Sequence, residues 1–262
     1  MSLDAAIYEI FWPLSQGAPG NDASTLRALD AVPGRDAVRR VLDLGAGHGR
    51  TTFALARALP DVRITAVEIH APFAGRIAER ARETGFADRV HALCGDMAKI
   101  DVAPGSIDLI WAEGSIYVVG IERALAIWRR WLRPGGCVAF SDFVQWTGDL
   151  SKEARAFWAI EYPDMASEDA IRSRSEAAGY RVVSRFRMPK EAHDAYYVPL
   201  EARVAELAGC ADTEVWKVLE DILKEIDVVR RFPDEAGYTF FVIQRGDGST
   251  IGSDAVRQAA GQ

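Results

Sequence analysis

The chain has 262 residues, 49% of them hydrophobic and 26% charged, and its formal net charge is −7 at pH 7. This acidic balance argues against a general nucleic-acid-binding protein, which needs a basic face to neutralise phosphates. No apolar run approaches the roughly 18 residues of a membrane-spanning helix, and the first residues carry no basic leader, so we expect a cytoplasmic protein. Three widely separated cysteines without a CxxC pair favour neither a disulfide framework nor a zinc site.

Residues 1–36 are predicted to form an N-terminal helical segment. Three aromatic residues lie within positions 8–12, and a turn-rich stretch follows over 16–20. Such a segment either packs its aromatic side chains on the domain or covers a pocket as a lid. Residues 21–24 then offer N-caps for a second helix, which the Pro-Gly pair at 33–34 ends.

From residue 37 onward, short apolar strands alternate with helices. Strands are predicted over 40–44, 62–68, 89–94, 106–112 and 137–141. Helices are predicted between them over 51–59, 71–83 and 121–132, and the residues at 133–136 predict a turn. This alternation indicates right-handed βαβ crossovers and a parallel sheet.

After Asp142 the alternation breaks. The sequence predicts a partly helical, aromatic-rich stretch over 144–166, a helix over 167–178, and strands over 180–188 and 238–244. The long connection over 189–236, with helices near 199–208 and 212–231, is predicted to cap the active edge of the sheet. The predicted domain limits are a sheet domain over 37–188 and 237–245, a helical cap over 189–236 and a flexible tail over 246–262.

The stretch at 41–50, Val-Leu-Asp-Leu-Gly-Ala-Gly-His-Gly-Arg, organises the chain. Glycines suit a turn with unusual dihedral angles and a ligand that touches the backbone closely. Four predicted strands end at or beside an acidic residue, namely Asp43, Glu68, Asp96 and Glu113. Because ligands bind beyond the carboxyl ends of parallel strands, the pattern predicts a nucleotide-like pocket there.

Two kinds of ligand compete for the glycine turn. The dinucleotide fingerprint G-x-G-x-x-G requires a third glycine where Arg50 stands. Asp43 would be repelled by a pyrophosphate but attracted by an ammonium group. A dinucleotide oxidoreductase is therefore the weaker alternative.

The glycine turn resembles motif I of the class I S-adenosylmethionine-dependent methyltransferases. The stretches at 16–20 and 111–117 and the pair Tyr196-Tyr197 also resemble a subset of small-molecule members, typically bacterial proteins, many of them with unassigned acceptors. The family pattern continues in order with Val67-Glu68, Gly95-Asp96-Met97, the strand at 107–113 and Leu-Arg-Pro-Gly-Gly at 132–136. The resemblance implies an α/β fold with a Rossmann-like seven-stranded sheet, mostly parallel with an antiparallel last strand, and helices on both faces plus a helical cap. It also implies S-adenosyl-L-methionine as cofactor and S-adenosyl-L-homocysteine as product.

The resemblance further implies a set of cofactor-binding residues. These are Asp43, Gly45, Ala46, Gly47, His48, Glu68, Ile69, Gly95, Asp96, Met97, Glu113 and Gly114. Asp43 would lie near the methionine ammonium group, Glu68 would accept from both ribose hydroxyls, and Asp96 would accept from the adenine amino group. Whether His48 touches the ligand stays open.

Methyl transfer is an in-line displacement, and a hydroxyl or carbon acceptor also needs a base. The candidates by position are Glu113, Tyr117, Asp142 and His193. Each also has a structural reading, respectively as a cofactor contact, lid packing, a strand-end cap and a surface residue.

The histidines show no ligand spacing, and no metal is expected. The expected partners are a small-molecule methyl acceptor and a second copy of the chain in a homodimer, with no nucleic acid and no membrane. The alternative is an S-adenosylmethionine-binding protein of the same fold with a non-methylating or non-catalytic role.

Overall fold

The structure is a computed structural model that describes residues 1–209 and 212–246. Its strands are β1 (Arg40–Leu44), β2 (Arg63–Glu68), β3 (Val90–Cys94), β4 (Ile107–Glu113), β5 (Leu132–Gln145), β6 (Tyr180–Arg187) and β7 (Ala236–Arg245). Its helices are α1 (Leu3–Phe11), α2 (Asp22–Asp30), α3 (Arg50–Ala58), α4 (Ala71–Glu83), α5 (Ile121–Trp131), α6 (Lys152–Glu161), α7 (Glu168–Ala177), α8 (Lys190–Leu207) and α9 (Thr213–Arg231). Single turns of 3₁₀ helix lie at Arg35–Ala37 and Ile116–Val118.

The strands form one seven-stranded sheet in the order β3-β2-β1-β4-β5-β7-β6. Strands β1 to β5 run parallel to one another, whereas β7 runs antiparallel to both β5 and β6. This arrangement confirms the predicted fold class. The chain order reverses between β1 and β4, so the crevice beyond the carboxyl ends of these two strands is the expected ligand site of such a sheet.

Apolar side chains from the two faces of each strand pack under separate helix layers. Phe53, Ile64 and Trp111 belong to the cluster that α2, α3 and α4 cover, and Ile110 and Trp128 to the cluster beneath α5 and α7. Neighbouring residues of β4 thus point to opposite faces, as the period of two in a strand requires. Both faces are buried, which explains why the parallel strands read as apolar runs.

A third apolar cluster joins the N-terminal helix to the last two helices. Ile10 of α1 packs with Tyr197 and Leu200 of α8 and with Leu219 of α9. The N-terminal segment therefore packs on the helices that precede β7.

Two predictions about β5 are wrong. The strand begins at Leu132 rather than 137, and the predicted turn at 133–136 lies within it as an irregularity, because Ile107 pairs with Leu132 whereas Leu109 pairs with Cys137. The strand also continues to Gln145, because the antiparallel partner β7 provides backbone hydrogen-bond partners as far as Ala236. The local sequence around β5 predicts neither these additional strand residues nor the pairing with β7.

The predicted start of α8 near residue 199 is also wrong, since the helix begins at Lys190 and contains Pro199. Proline removes one helical hydrogen bond and usually ends a helix. Here the buried face that includes Tyr196, Tyr197 and Leu200 packs on both sides of the proline, and this tertiary packing holds the helix together.

Apart from Gly246, the predicted tail at 246–262 lies outside the described residues. In the part of the chain that the structure describes, no helix combines the length and apolar character needed to cross a bilayer.

Candidate functional site

The glycine turn connects β1 to α3 at the reversal point of the sheet. Its glycines at 45, 47 and 49 all have left-handed φ angles, of 73°, 53° and 78°. The backbone N–H groups of Gly45 and Ala46 donate to the carbonyl oxygen of Val67, at 2.9 and 3.0 Å, which fixes the turn against β2. At Gly47, a Cβ atom would meet no heavy atom within 4 Å, so the backbone there borders open space.

Glu68 faces this turn from the end of β2. One carboxylate oxygen accepts from the backbone N–H of Gly47 at 2.8 Å, and the other accepts from the N–H of His70 at 2.9 Å. Each carboxylate oxygen has two lone pairs, so both oxygens keep capacity for a further donor. The side chain is thus held in place and still able to bind a pair of hydroxyl groups.

A cavity of about 390 Å³, here called the strand-end cavity, opens beyond β2, β3 and β4. Its lining includes Glu68, Ile69, His70, Asp96, Met97 and Tyr117. Ile69 is 62% exposed although it is apolar, and the buried Met97 lines the same cavity. A flat ring system bound in this cavity against Ile69 would cover apolar surface that now faces solvent.

Asp96 lies at the rim of the strand-end cavity. Its carboxylate accepts from the backbone N–H of Ala98 at 2.9 Å and pairs with the Lys99 ammonium at 2.7 Å. These two contacts, the lysine contact above all, lower the pKa of Asp96. Asp96 is therefore ionised at neutral pH and available as an acceptor.

An adjoining cavity of about 120 Å³, the turn cavity, lies between the glycine turn and the start of the chain. Its lining includes Asp43, Gly45, Gly47 and Gly114 together with residues 16–19. Burial raises the pKa of Asp43 to about 7, against a hydrogen bond from the Thr52 hydroxyl that lowers it. A cation in the turn cavity would therefore draw Asp43 into its ionised form.

The loop at 16–20 closes the turn cavity from the outside. The Gln16 side-chain amide donates to the carbonyl oxygens of Ala18 and Gly20, both at 2.9 Å, and the Gly20 N–H donates to the carbonyl oxygen of Ala192 in α8. At Gly114 a Cβ atom would collide with the Cβ of Ala18. The N-terminal segment therefore packs on α8 and α9 and also walls the candidate ligand site.

Glu113, a candidate base and cofactor contact, is bound by protein donors. Its side chain is 5% exposed and forms an ion pair with Arg50. It also accepts hydrogen bonds from the hydroxyls of Thr25 (3.0 Å) and Thr51 (3.1 Å) and from Trp111 Nε1 (3.2 Å). Glu113 thus has four donors on its two oxygens and connects β4 to α2 and α3. No lone pair of its carboxylate remains to take a proton from a methyl acceptor.

His193, another candidate base, is also fully engaged. Its Nε2 accepts from the backbone N–H of Tyr238 at 3.1 Å, so the proton resides on Nδ1, which faces the carbonyl oxygen of Pro189 at 3.1 Å. Burial lowers the pKa of His193, and the ring stays neutral. It is half-buried rather than a surface residue, and it fastens α8 to β7.

The other two candidates, Tyr117 and Asp142, line one cavity together. This aromatic cavity, of about 180 Å³, is bounded by β5, β7, α6, α9 and the 3₁₀ turn. The Tyr162 hydroxyl donates to the Asp142 carboxylate, at 2.9 and 3.1 Å from its two oxygens. Burial nevertheless raises the pKa of Asp142 to about 7, so this group can hold or release a proton near neutrality.

Sequence reasoning missed several residues around these groups. Thr25 and Arg50 bind Glu113, and Tyr162, Glu225 and Tyr238 line the aromatic cavity. The aromatic-rich stretch at 146–162 was the one available signal, and it did not show which ring faces Asp142. Among residues 1–209 and 212–246, no three His, Cys, Asp or Glu side chains meet in a way that could hold a metal ion.

The sequence model of the methyltransferase domain family matches residues 41–136, which include the glycine turn and the ends of β2, β3 and β4. Residues 41–136 are a methyltransferase domain. Together with the strand order, this match confirms the class I methyltransferase fold inferred from the sequence.

Solved structures share the fold beyond the methyltransferase domain itself. The S-adenosylmethionine-dependent methyltransferase from Geobacter sulfurreducens, solved with S-adenosyl-L-homocysteine, aligns over 91% of this chain and 97% of its own with a TM-score of 0.78 and 20% identity. The [4+2]-cyclase SpnF aligns over 92% of this chain and 95% of its own with a TM-score of 0.75 and 19% identity. At such identities the likeness concerns the fold alone.

Among curated proteins, the dimethylglycine N-methyltransferase of Parasynechococcus marenigrum is 29% identical over 141 residues. The match covers 53% of this chain and 50% of that relative. The chain thus spans about half the length of this relative.

Proposed function

We propose that this protein is an S-adenosylmethionine-dependent methyltransferase that moves a methyl group to a small-molecule acceptor by in-line displacement. The observation that carries the proposal is the pair of adjoining cavities at the glycine turn, with Asp43 in the smaller and Glu68 in the larger. The family match over the same residues supports it.

The residues of these cavities fit the two ends of the cofactor. Glu68 can accept from two neighbouring ribose hydroxyls, Asp96 from an adenine amino group, and Asp43 offers a carboxylate to the ammonium group. Ile69 and Met97 offer apolar surface to the adenine ring. When bound, the cofactor supplies a methyl group activated by its positively charged sulfur.

The acceptor site of this proposal is the aromatic cavity. Tyr117 lines both this cavity and the strand-end cavity, so the two are neighbours. Asp142 is the most buried carboxyl group there, and we assign it the role of taking a proton from the acceptor, whereas Glu113 and His193 are engaged in structural contacts. The 16–20 loop covers the turn cavity and keeps water away from the reacting groups.

Calorimetric titration with S-adenosyl-L-homocysteine tests the cofactor assignment, with NADH as the control ligand. We expect micromolar binding that falls at least tens-fold in Glu68→Ala, because each hydrogen bond to a charged acceptor contributes about 1.5–3 kcal/mol. Glu191→Ala, at an exposed position of α8, is the matched control and should bind normally. Absence of binding by folded wild-type protein would contradict the proposal.

A second function is a cofactor-binding role without methyl transfer. It is favoured by the structural likeness to SpnF, whose name gives a [4+2]-cyclase rather than a methyltransferase. Mass spectrometry of reactions with labelled S-adenosylmethionine and a panel of acceptors separates the two. Labelled product supports the methyltransferase, and tight cofactor binding without product from any acceptor supports the alternative.

A further inference from the structure

The aromatic cavity has an unusual lining for a small pocket. Three carboxyl groups meet there from three elements, Asp142 on β5, Glu161 on α6 and Glu225 on α9. The remaining lining is aromatic, contributed by Tyr117, Phe143, Trp158, Tyr162 and Tyr238. No Lys, Arg or His side chain lines it in the described part of the chain.

No cationic side chain contacts the acids of this cavity within the described residues, although Arg174 acts on Asp142 and Lys224 on Glu161 at longer range. Asp142 is 2% exposed, and its hydrogen-bonding side-chain partner is the neutral hydroxyl of Tyr162. Glu225 accepts from the neutral hydroxyl of Tyr197 at 2.8 Å. None of the three acids takes part in an ion pair among residues 1–209 and 212–246. Asp142 is buried and Glu225 half-buried, whereas Glu161 is exposed. A buried carboxylate without a counter-charge is costly, and a ligand cation would supply one to Asp142.

The rings stand around the cavity at different angles. The centroids of Phe143 and Trp158 are 4.3 Å apart at an interplanar angle of 39°, and Phe143 meets Tyr238 edge-on at 76°. The rings of Tyr117 and Tyr162 form a second pair, with an interplanar angle of 65°. Aromatic rings inclined to one another at several angles thus line this small space, and the negative face of an aromatic ring attracts a compact cation.

Two phenol hydroxyl groups of the aromatic cavity remain available for hydrogen bonding. The hydroxyl groups of Tyr117 and Tyr238 have no hydrogen-bond partner within the described residues, although both side chains line the cavity. Burial raises the pKa of both phenols, so they stay neutral and act as donors or acceptors rather than as competing anions.

The aromatic cavity also lies beside the proposed methyl-donor site. Tyr117 borders the strand-end cavity as well, and a ring carbon of Tyr238 lies 3.8 Å from where a Cβ of Gly114 would be. Gly114 lines both cofactor cavities. A group bound in the aromatic cavity is therefore next to the strand-end and turn cavities.

We propose that the aromatic cavity binds the amine head of the acceptor, and that the methyl group is transferred to its nitrogen. This inference rests on the proposed methyltransferase function. A protonated amine first gives a proton to the Asp142 carboxylate. The nitrogen lone pair then forms the new N–C bond while the C–S bond breaks and its electron pair goes to sulfur. The product ammonium group carries the positive charge and stays among the rings and carboxylates.

The test uses the whole protein saturated with S-adenosyl-L-homocysteine and two probes of equal shape. Choline carries a trimethylammonium head, and 3,3-dimethylbutan-1-ol is its neutral counterpart. Calorimetry or ligand-observed NMR should show choline binding at least tenfold more tightly than the alcohol. Equal affinity for the two probes, or no binding of choline, would overturn the inference.

Two variants locate the effect. Glu225→Gln keeps the shape and an acceptor for Tyr197, and should weaken choline at least tenfold while leaving the affinity for S-adenosyl-L-homocysteine unchanged. Glu220→Gln, at an exposed position of the same helix, should change neither. Unaltered choline binding in Glu225→Gln would place the cation elsewhere and refute the site.

The two proposals fail in distinguishable ways. If S-adenosyl-L-homocysteine binds and choline does not, the amine assignment is wrong and the methyltransferase function stands. If S-adenosyl-L-homocysteine does not bind, the same two probes are titrated into the protein alone; choline binding with these preferences would then show a cation site and a wrong cofactor assignment.

Discussion

The Nε2 atom of His48 lies 3.1 Å from the carbonyl oxygen of Phe11, and this contact joins the glycine turn to the last residue of α1. Since a carbonyl oxygen can only accept, Nε2 carries the proton. Burial lowers the pKa of His48, so the ring is neutral, and its Nδ1 is buried without a partner in the described residues. His48 also packs on Phe73, with ring centroids 4.5 Å apart. His48 thus helps to hold the N-terminal helix to the candidate cofactor site, together with Phe73, which packs on Tyr8 and Trp12.

Replacing His48 by alanine should loosen α1 over the cofactor cavities. We expect S-adenosyl-L-homocysteine to dissociate faster and bind about tenfold more weakly, the effect of losing roughly 1.4 kcal/mol. Stopped-flow dissociation and hydrogen exchange of residues 3–11 measure this. His91→Ala, at an exposed position of β3, is the control. Unchanged exchange and dissociation in His48→Ala would show that the contact does not hold the segment.

Gly47→Ala should weaken the affinity for S-adenosyl-L-homocysteine by much more than its loss of unfolding free energy would explain. Gly47 and Gly85 both have left-handed φ angles, 53° and 75°, and at both a Cβ atom would meet open space. Each substitution should therefore cost about 1 kcal/mol of unfolding free energy from backbone strain. Only at Gly47 does the new methyl group border the cofactor cavities. Equal loss of ligand affinity in the two variants, measured by calorimetry, would contradict this.

Cofactor binding should release a proton from Asp43. Its pKa of about 7 in the free protein, raised by burial first and by the nearby Glu113 carboxylate, falls when an ammonium group arrives. Affinity should therefore rise as the pH increases from about 5.5 to 7.5 and level off above that range. Calorimetric titration in phosphate and in imidazole, two buffers with different ionisation enthalpies, gives the number of protons released at pH 6.5. Asp43→Asn should lose the release, and Asp142→Asn should keep it.

Asp142→Asn should stabilise the ligand-free protein at alkaline pH. The folded-state pKa of about 7 lies above the ordinary value of 3.8. The folded protein therefore binds more protons than the unfolded chain between these values, and stability falls as the pH rises through this window. We expect the variant to gain about 1–3 kcal/mol at pH 8, a rise of several degrees in Tm, and little at pH 4.5.

Thermal unfolding at the two pH values measures this gain. Asp88→Asn, at an exposed position after α4, should be neutral at both. A pH-independent change in Asp142→Asn would mean that the effect comes from packing and not from the buried charge.

Local signals account for most elements of the sheet domain. Residues 40–44 form β1, a helix starts as soon as the glycines end, and Asn21 and Ser167 cap α2 and α7 with their side chains. The errors fall where a distant partner decides. β5 is long because β7 pairs with it, and α8 runs through Pro199 because α1 and α9 cover its apolar face.

The sequence by itself determined the parallel sheet, the glycine turn and the acids at the strand ends, because each depends on residues that are neighbours in the chain. The tertiary structure decided what those acids do. Glu113 is bound by Arg50, whereas Asp142 faces a cavity that four other elements complete. Whether a carboxylate is engaged or free depends on the donors around it, and those donors come from distant parts of the chain that only folding brings together.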